Sequence, residues 1–148
     1  MKKLLMSALV LSAFACSILL VQMTSCKKSN AQTPVVYSIQ GLWTGLYTVD
    51  GQPNIGQQYF SFVLKPDGTI INDTKGGGVQ NLCVGSWALT GDTLACSYTC
   101  VYGVPASIGV TQTAKAYFDK TAGKLTSGTW KNLAPSSGTG TFSLNRVN

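Results

Sequence analysis

Residues 82–102 read Leu-Cys-Val-Gly-Ser-Trp-Ala-Leu-Thr-Gly-Asp-Thr-Leu-Ala-Cys-Ser-Tyr-Thr-Cys-Val-Tyr. Two runs carrying β-branched and aromatic side chains flank Gly91-Asp92, a pair suited to a tight turn, so the stretch predicts an antiparallel hairpin. With that turn, Thr90 stands opposite Thr93 and Leu89 opposite Leu94. Alternation puts Cys83, Gly85, Trp87 and Leu89 on one face with Leu94, Cys96, Tyr98 and Cys100. The other face takes Val84, Ser86, Ala88 and Thr90 with Thr93, Ala95, Ser97 and Thr99. An apolar, aromatic face backed by a small, hydroxylated one is the pattern of a half-buried strand pair, with the first face inward.

The same register places Cys83 directly opposite Cys100, at a non-hydrogen-bonded pair, where α-carbons approach most closely. Cys96 and Cys100 share one extended strand about 13 Å apart, beyond the reach of a bridge. The hairpin therefore predicts a Cys83–Cys100 disulfide, with Cys96 as a buried thiol facing Trp87. The alternative is three reduced, packed cysteines behaving as small hydrophobes. Without histidine or a paired CxxC spacing, the thiols carry no zinc signature, and no metal site is expected.

Outward from the hairpin, short runs rich in Thr, Val, Tyr, Phe and Trp alternate with glycine-bearing turns, and no helical periodicity emerges. Strands are expected near 37–49, 57–65, 69–74, 79–90, 93–102, 109–118, 125–132 and 139–147. A turn at Pro66-Asp67-Gly68 gathers Phe60, Phe62 and Leu64 on one face, and a turn between Asp119 and Lys124 brings Phe118 near Leu125. The run Lys75-Gly76-Gly77-Gly78 reads as a mobile loop, and residues 102–108 as a rim loop with exposed apolar groups. Eight strands with short connections favour antiparallel neighbours that close edge to edge. The expected fold is all-β, an eight-stranded antiparallel up-and-down barrel. Trp43, Trp87 and Trp130 each follow Gly-x, and each ring is expected to lie across the vacancy left by its glycine two residues before.

The amino terminus runs Met1-Lys2-Lys3, an apolar stretch from Leu4 to Val21, then Met23-Thr24-Ser25-Cys26. This order resembles a bacterial lipoprotein signal peptide, which implies cleavage before Cys26 and lipidation of that cysteine. The rival is an uncleaved anchor, although eighteen residues reach only the short end of a spanning helix. The division expected is a signal peptide over 1–25, a lipid-anchored tether over 26–36 and a barrel domain over 37–148. The resemblance implies a bacterial envelope protein, membrane-attached through its lipid, and Lys27 after the cysteine resembles the outer-membrane-sorted pattern.

Losing Lys2 and Lys3 lowers the net charge from +6 to +4. The remaining bases are scattered, with no basic stripe interleaved with aromatics, so nucleic acid is not an expected partner. There is no histidine and no glutamate. Asp50, Asp67, Asp92 and Asp119 sit in turn-like sequences, and only Asp73 lacks an obvious turn role. General acid–base chemistry needs an imidazole or carboxylate held in a cleft at a tuned pKa, so a non-enzymatic protein without cofactor is expected.

The first strand begins Gly41-Leu42-Trp43, and Arg146 stands late in the chain in Leu144-Asn145-Arg146-Val147. Here the domain is similar to the lipocalins, in which such a tryptophan plugs the barrel base and a late basic residue packs across it; avidin-like barrels share the Gly-x-Trp. The resemblance implies barrel-base packing between Trp43 and Arg146. It also implies a small apolar ligand held inside the barrel by Trp43, Phe60, Phe62, Trp87, Tyr98 and Trp130. The alternative is that these side chains fill the interior, leaving an interaction or structural module of the cell envelope.

Overall fold

The computed structural model describes residues 35–76 and 78–148. The signal peptide, Cys26 and most of the expected tether lie outside the described residues. Eight strands follow in chain order: β1 (Gly41–Tyr47), β2 (Gln58–Leu64), β3 (Thr69–Gly76), β4 (Val79–Thr90), β5 (Thr93–Tyr102), β6 (Thr111–Asp119), β7 (Lys124–Asn132) and β8 (Thr139–Arg146). Each pairs antiparallel with its sequence neighbour, and β1 pairs with β8, giving a closed up-and-down barrel. Closure leaves no sheet edge unpaired.

The β4–β5 hairpin has the register its sequence predicts. Thr90 pairs with Thr93, Trp87 with Cys96 and Cys83 with Cys100. The last pair is a disulfide, and Cys96 is a buried free thiol. Phe118 pairs with Leu125 across the β6–β7 turn. In that turn Asp119 Oδ1 accepts from the Thr121 and Ala122 amides at 3.0 and 2.9 Å, the local bonding that makes aspartate a turn residue.

Four local expectations need correction. β1 begins at Gly41, not near residue 37, because the preceding stretch bonds across the barrel base rather than along the sheet. The Tyr37 amide donates to Lys120 O at 2.8 Å, and the Arg146 guanidinium takes the carbonyls of Ser38 (2.7 Å) and Gln40. β6 starts at Thr111, because Gly109 and Val110 turn back onto Cys100 through backbone bonds. Gly76 belongs to β3 and pairs with Val79, so this strand runs past the expected 69–74. The tryptophans do not cover their own glycines. A Cβ at Gly41 would meet the Arg146 guanidinium, at Gly85 the β5 backbone with Tyr98 Cα 2.5 Å away, and at Gly128 the Phe142 ring. In each case the vacancy admits a cross-strand partner, which lets adjacent strands coil tightly.

The barrel is packed from its base upward. Trp43 is fully buried, as are Leu64, Ile70, Leu125 and Leu144. Its indole N–H donates to Ile39 O at 2.7 Å, its ring meets Phe118 edge-on at 5.7 Å, and the Arg146 guanidinium lies 5.7 Å from the ring centroid. Above it Phe60, Phe62 and Phe142 contact one another at 4.9–5.5 Å, and Tyr98 reaches Phe62 at 6.0 Å. Replacing Trp43 with alanine is expected to destabilise the barrel by ~3–5 kcal/mol through the cavity left at the base. Gly85→Ala is expected to cost ~1–3 kcal/mol by forcing β4 from β5. Denaturant unfolding of the two variants checks both.

Candidate functional site

At the end opposite Trp43 the packing stops short, and the loops after β1, β5 and β7 border a cup of about 480 Å³. Its aromatic floor is Tyr47, Phe60 and Trp130. The Tyr47 ring lies 5.3 Å from Phe60 and 5.9 Å from Trp130. The Trp130 indole N–H donates to Thr48 O at 3.0 Å, and Tyr47 Oη donates to Gln58 Oε1 at 3.3 Å, so both rings are held by their polar ends. The floor follows from strand alternation. Phe60 continues the inward face of Phe62 and Leu64, and Trp130 packs over Gly140, where any side chain would strike its indole nitrogen.

The wall is polar and uncharged. It presents Thr74, Asn81, Gln112 and Asn132, and none of the residues lining the cup is an acid, lysine or arginine. Gln112 Nε2 donates to Asn132 Oδ1 at 2.7 Å, and Asn132 Nδ2 donates to Ser137 O at 2.8 Å. Asn81 Oδ1 accepts the Val104 amide at 3.2 Å, fastening the loop between β5 and β6 to the mouth. That loop contributes Ala106 and Ser107 to the lining, and Ile108 beside them is exposed, as the rim reading expects. Burial raises the Tyr47 phenol above its ordinary pKa, so it adds no charge to the cup at neutral pH.

The six residues expected to line the interior therefore divide. Phe60 and Trp130 face the cup. Phe62 and Tyr98 form the filled layer beneath it, and Trp43 seals the base with Arg146. Trp87 stands at the base end, where its indole N–H donates to Lys65 O at 3.0 Å, partly exposed over the β2–β3 turn. The Cys83–Cys100 bridge borders the cup through Cys100. Tyr47, Thr74, Asn81, Gln112 and Asn132 join the cup in addition to the residues expected from sequence. Parity was the available signal: Gln112 shares the face of Ala114 and Phe118, and Asn132 that of Trp130. A polar side chain on the inward face near one strand end marks the wet end of a barrel.

The aspartates lie elsewhere. Asp73, the one without a turn role, accepts from Gln80 Nε2 at 3.0 Å, and Asp50 takes the Thr139 hydroxyl at 2.8 Å. Asp92 meets Lys120 at 3.4 Å on the surface. No protein-family model matches the chain, and neither does any curated protein or solved structure.

Below the cup, burial pushes the Cys96 thiol up to about 12 from its ordinary 9.0, and raises the Tyr98 phenol with a further contribution from Cys96. Above pH 9 the unfolded chain releases the Cys96 proton while the folded chain keeps it. Cys96 alone is therefore expected to lower stability by up to about 1.4 kcal/mol per pH unit between pH 9 and 12, and Tyr98 steepens the fall above pH 10. Denaturant titrations over that range, with the disulfide intact, should show a shallower fall for Cys96→Ala.

Proposed function

We propose that this domain is a non-enzymatic binding module holding a small, uncharged ligand in the cup, with an apolar body on the aromatic floor. The supporting observation is that aromatic packing stops one layer short of the mouth, leaving a recess with few, convergent polar groups. The expected apolar ligand keeps its place against Tyr47, Phe60 and Trp130, while the amides of the wall ask for a polar group as well. On this reading the protein is an envelope lipoprotein anchored through Cys26. That rests on the signal-like sequence Met23-Thr24-Ser25-Cys26, and the described chain enters the barrel at the base, opposite the cup.

A second reading, an envelope interaction module, draws on the exposed apolar side chains at the mouth, Val101, Tyr102 and Ile108, each more than half exposed. Titration of the full chain with the neutral fluorophore N-phenyl-1-naphthylamine separates the two. A ligand-holding cup enhances and blue-shifts the emission, and Thr74→Trp, which fills the recess from its wall, weakens binding at least about tenfold. Equal binding by the variant places the probe on the apolar rim and favours the interaction reading.

A further inference from the structure

We infer that the cup selects a neutral ligand whose polar head donates hydrogen bonds to Gln112, a conclusion that rests on the ligand-holding reading of the cup. The amide chain along the wall has a fixed direction. Ser137 offers a backbone carbonyl, which only accepts, so Asn132 must turn its NH₂ toward it. That leaves Asn132 Oδ1 facing Gln112, which must in turn give its NH₂. The chain therefore ends on Gln112 Oε1, an acceptor that receives no protein hydrogen bond among the described residues.

Charge and desolvation narrow the ligand further. At Gln112 Oε1 a carboxylate would set oxygen against oxygen, and a cation would enter a recess whose lining contains no acid. A wholly apolar molecule would strip water from Gln112 Oε1 and return nothing, the situation in which a polar site discriminates most strongly. The volume, about 480 Å³, lies toward the small end of ligand pockets. A ring on Tyr47, Phe60 and Trp130 carrying an amide or hydroxyl donor meets all three conditions.

Four molecules of one shape test this: phenylacetamide, isobutylbenzene, phenylacetate and phenylacetamidinium. Each is titrated into the full isotope-labelled chain, with the Trp130 indole and Gln112 side-chain amide resonances as reporters. Phenylacetamide is expected to bind about tenfold or more tighter than the other three. Gln112→Leu should remove that advantage and bring isobutylbenzene level with it or ahead. A native chain that prefers isobutylbenzene or either ion overturns the ligand class while the cup stands. If none of the four moves the Trp130 indole, the ligand-holding reading itself falls. Unchanged phenylacetamide affinity in a folded Gln112→Leu overturns the role of that acceptor. The ranking in the native chain decides the ligand class even where the variant does not fold.

Discussion

Closure of the barrel between its first and last strands is the constraint from which the rest follows. β1 and β8 pair from Trp43–Arg146 to Tyr47–Phe142, and this ladder brings the two ends of the domain to one seam. At the seam's base Trp43 and Arg146 act together. The indole fills the narrow end, and the guanidinium covers it while binding the carbonyls of Ser38 and Gln40. The entering chain is thereby folded across the base. An eight-stranded barrel is just wide enough for side chains to fill, so a plug at one end sets where filling begins.

What the plug starts, the aromatic layers continue. Trp43 and Phe118 give way to Phe62, Phe142 and Tyr98, then to Phe60, Tyr47 and Trp130. Above that level the inward positions turn polar, at Thr74, Asn81, Gln112 and Asn132, and the interior opens as a cup. A dry base and a wet mouth thus come from one change in residue type along the inward faces of the strands. The disulfide ties β4 to β5 just below the point where those strands part toward the mouth, beside a shift in their register.

Much of this is legible in the chain because a β-hairpin is written locally. Gly91-Asp92 supplies the turn, and period-two alternation then determines every pair as far as Cys83–Cys100. The site is less legible because it is assembled from residues far apart in sequence. Gln112 reaches Asn132 only through the β6–β7 pairing, which carries an irregularity between Lys115 and Tyr117 that alternation alone does not reveal. β7 and β8 slip again between Leu125 and Gly128, where Ser127 adopts a positive φ of 51°, a conformation nothing in its side chain announces. Trp87 shows the reverse limit. Parity gives its face correctly but not its height, and its height places it over a base-end turn rather than in the cup.

The barrel is sealed at its base and through its middle yet open at its mouth, and cysteine chemistry reads both halves in one sample. Val49 lines the cup and packs on its floor, on the far side of the barrel from the disulfide, while Cys96 lies in the filled interior. The Val49→Cys chain, treated with N-ethylmaleimide without reductant and mapped by peptide mass, is expected to carry the adduct at position 49 and none at Cys96. Modification of Cys96 at a comparable rate, or an unreactive thiol at position 49, would contradict this arrangement.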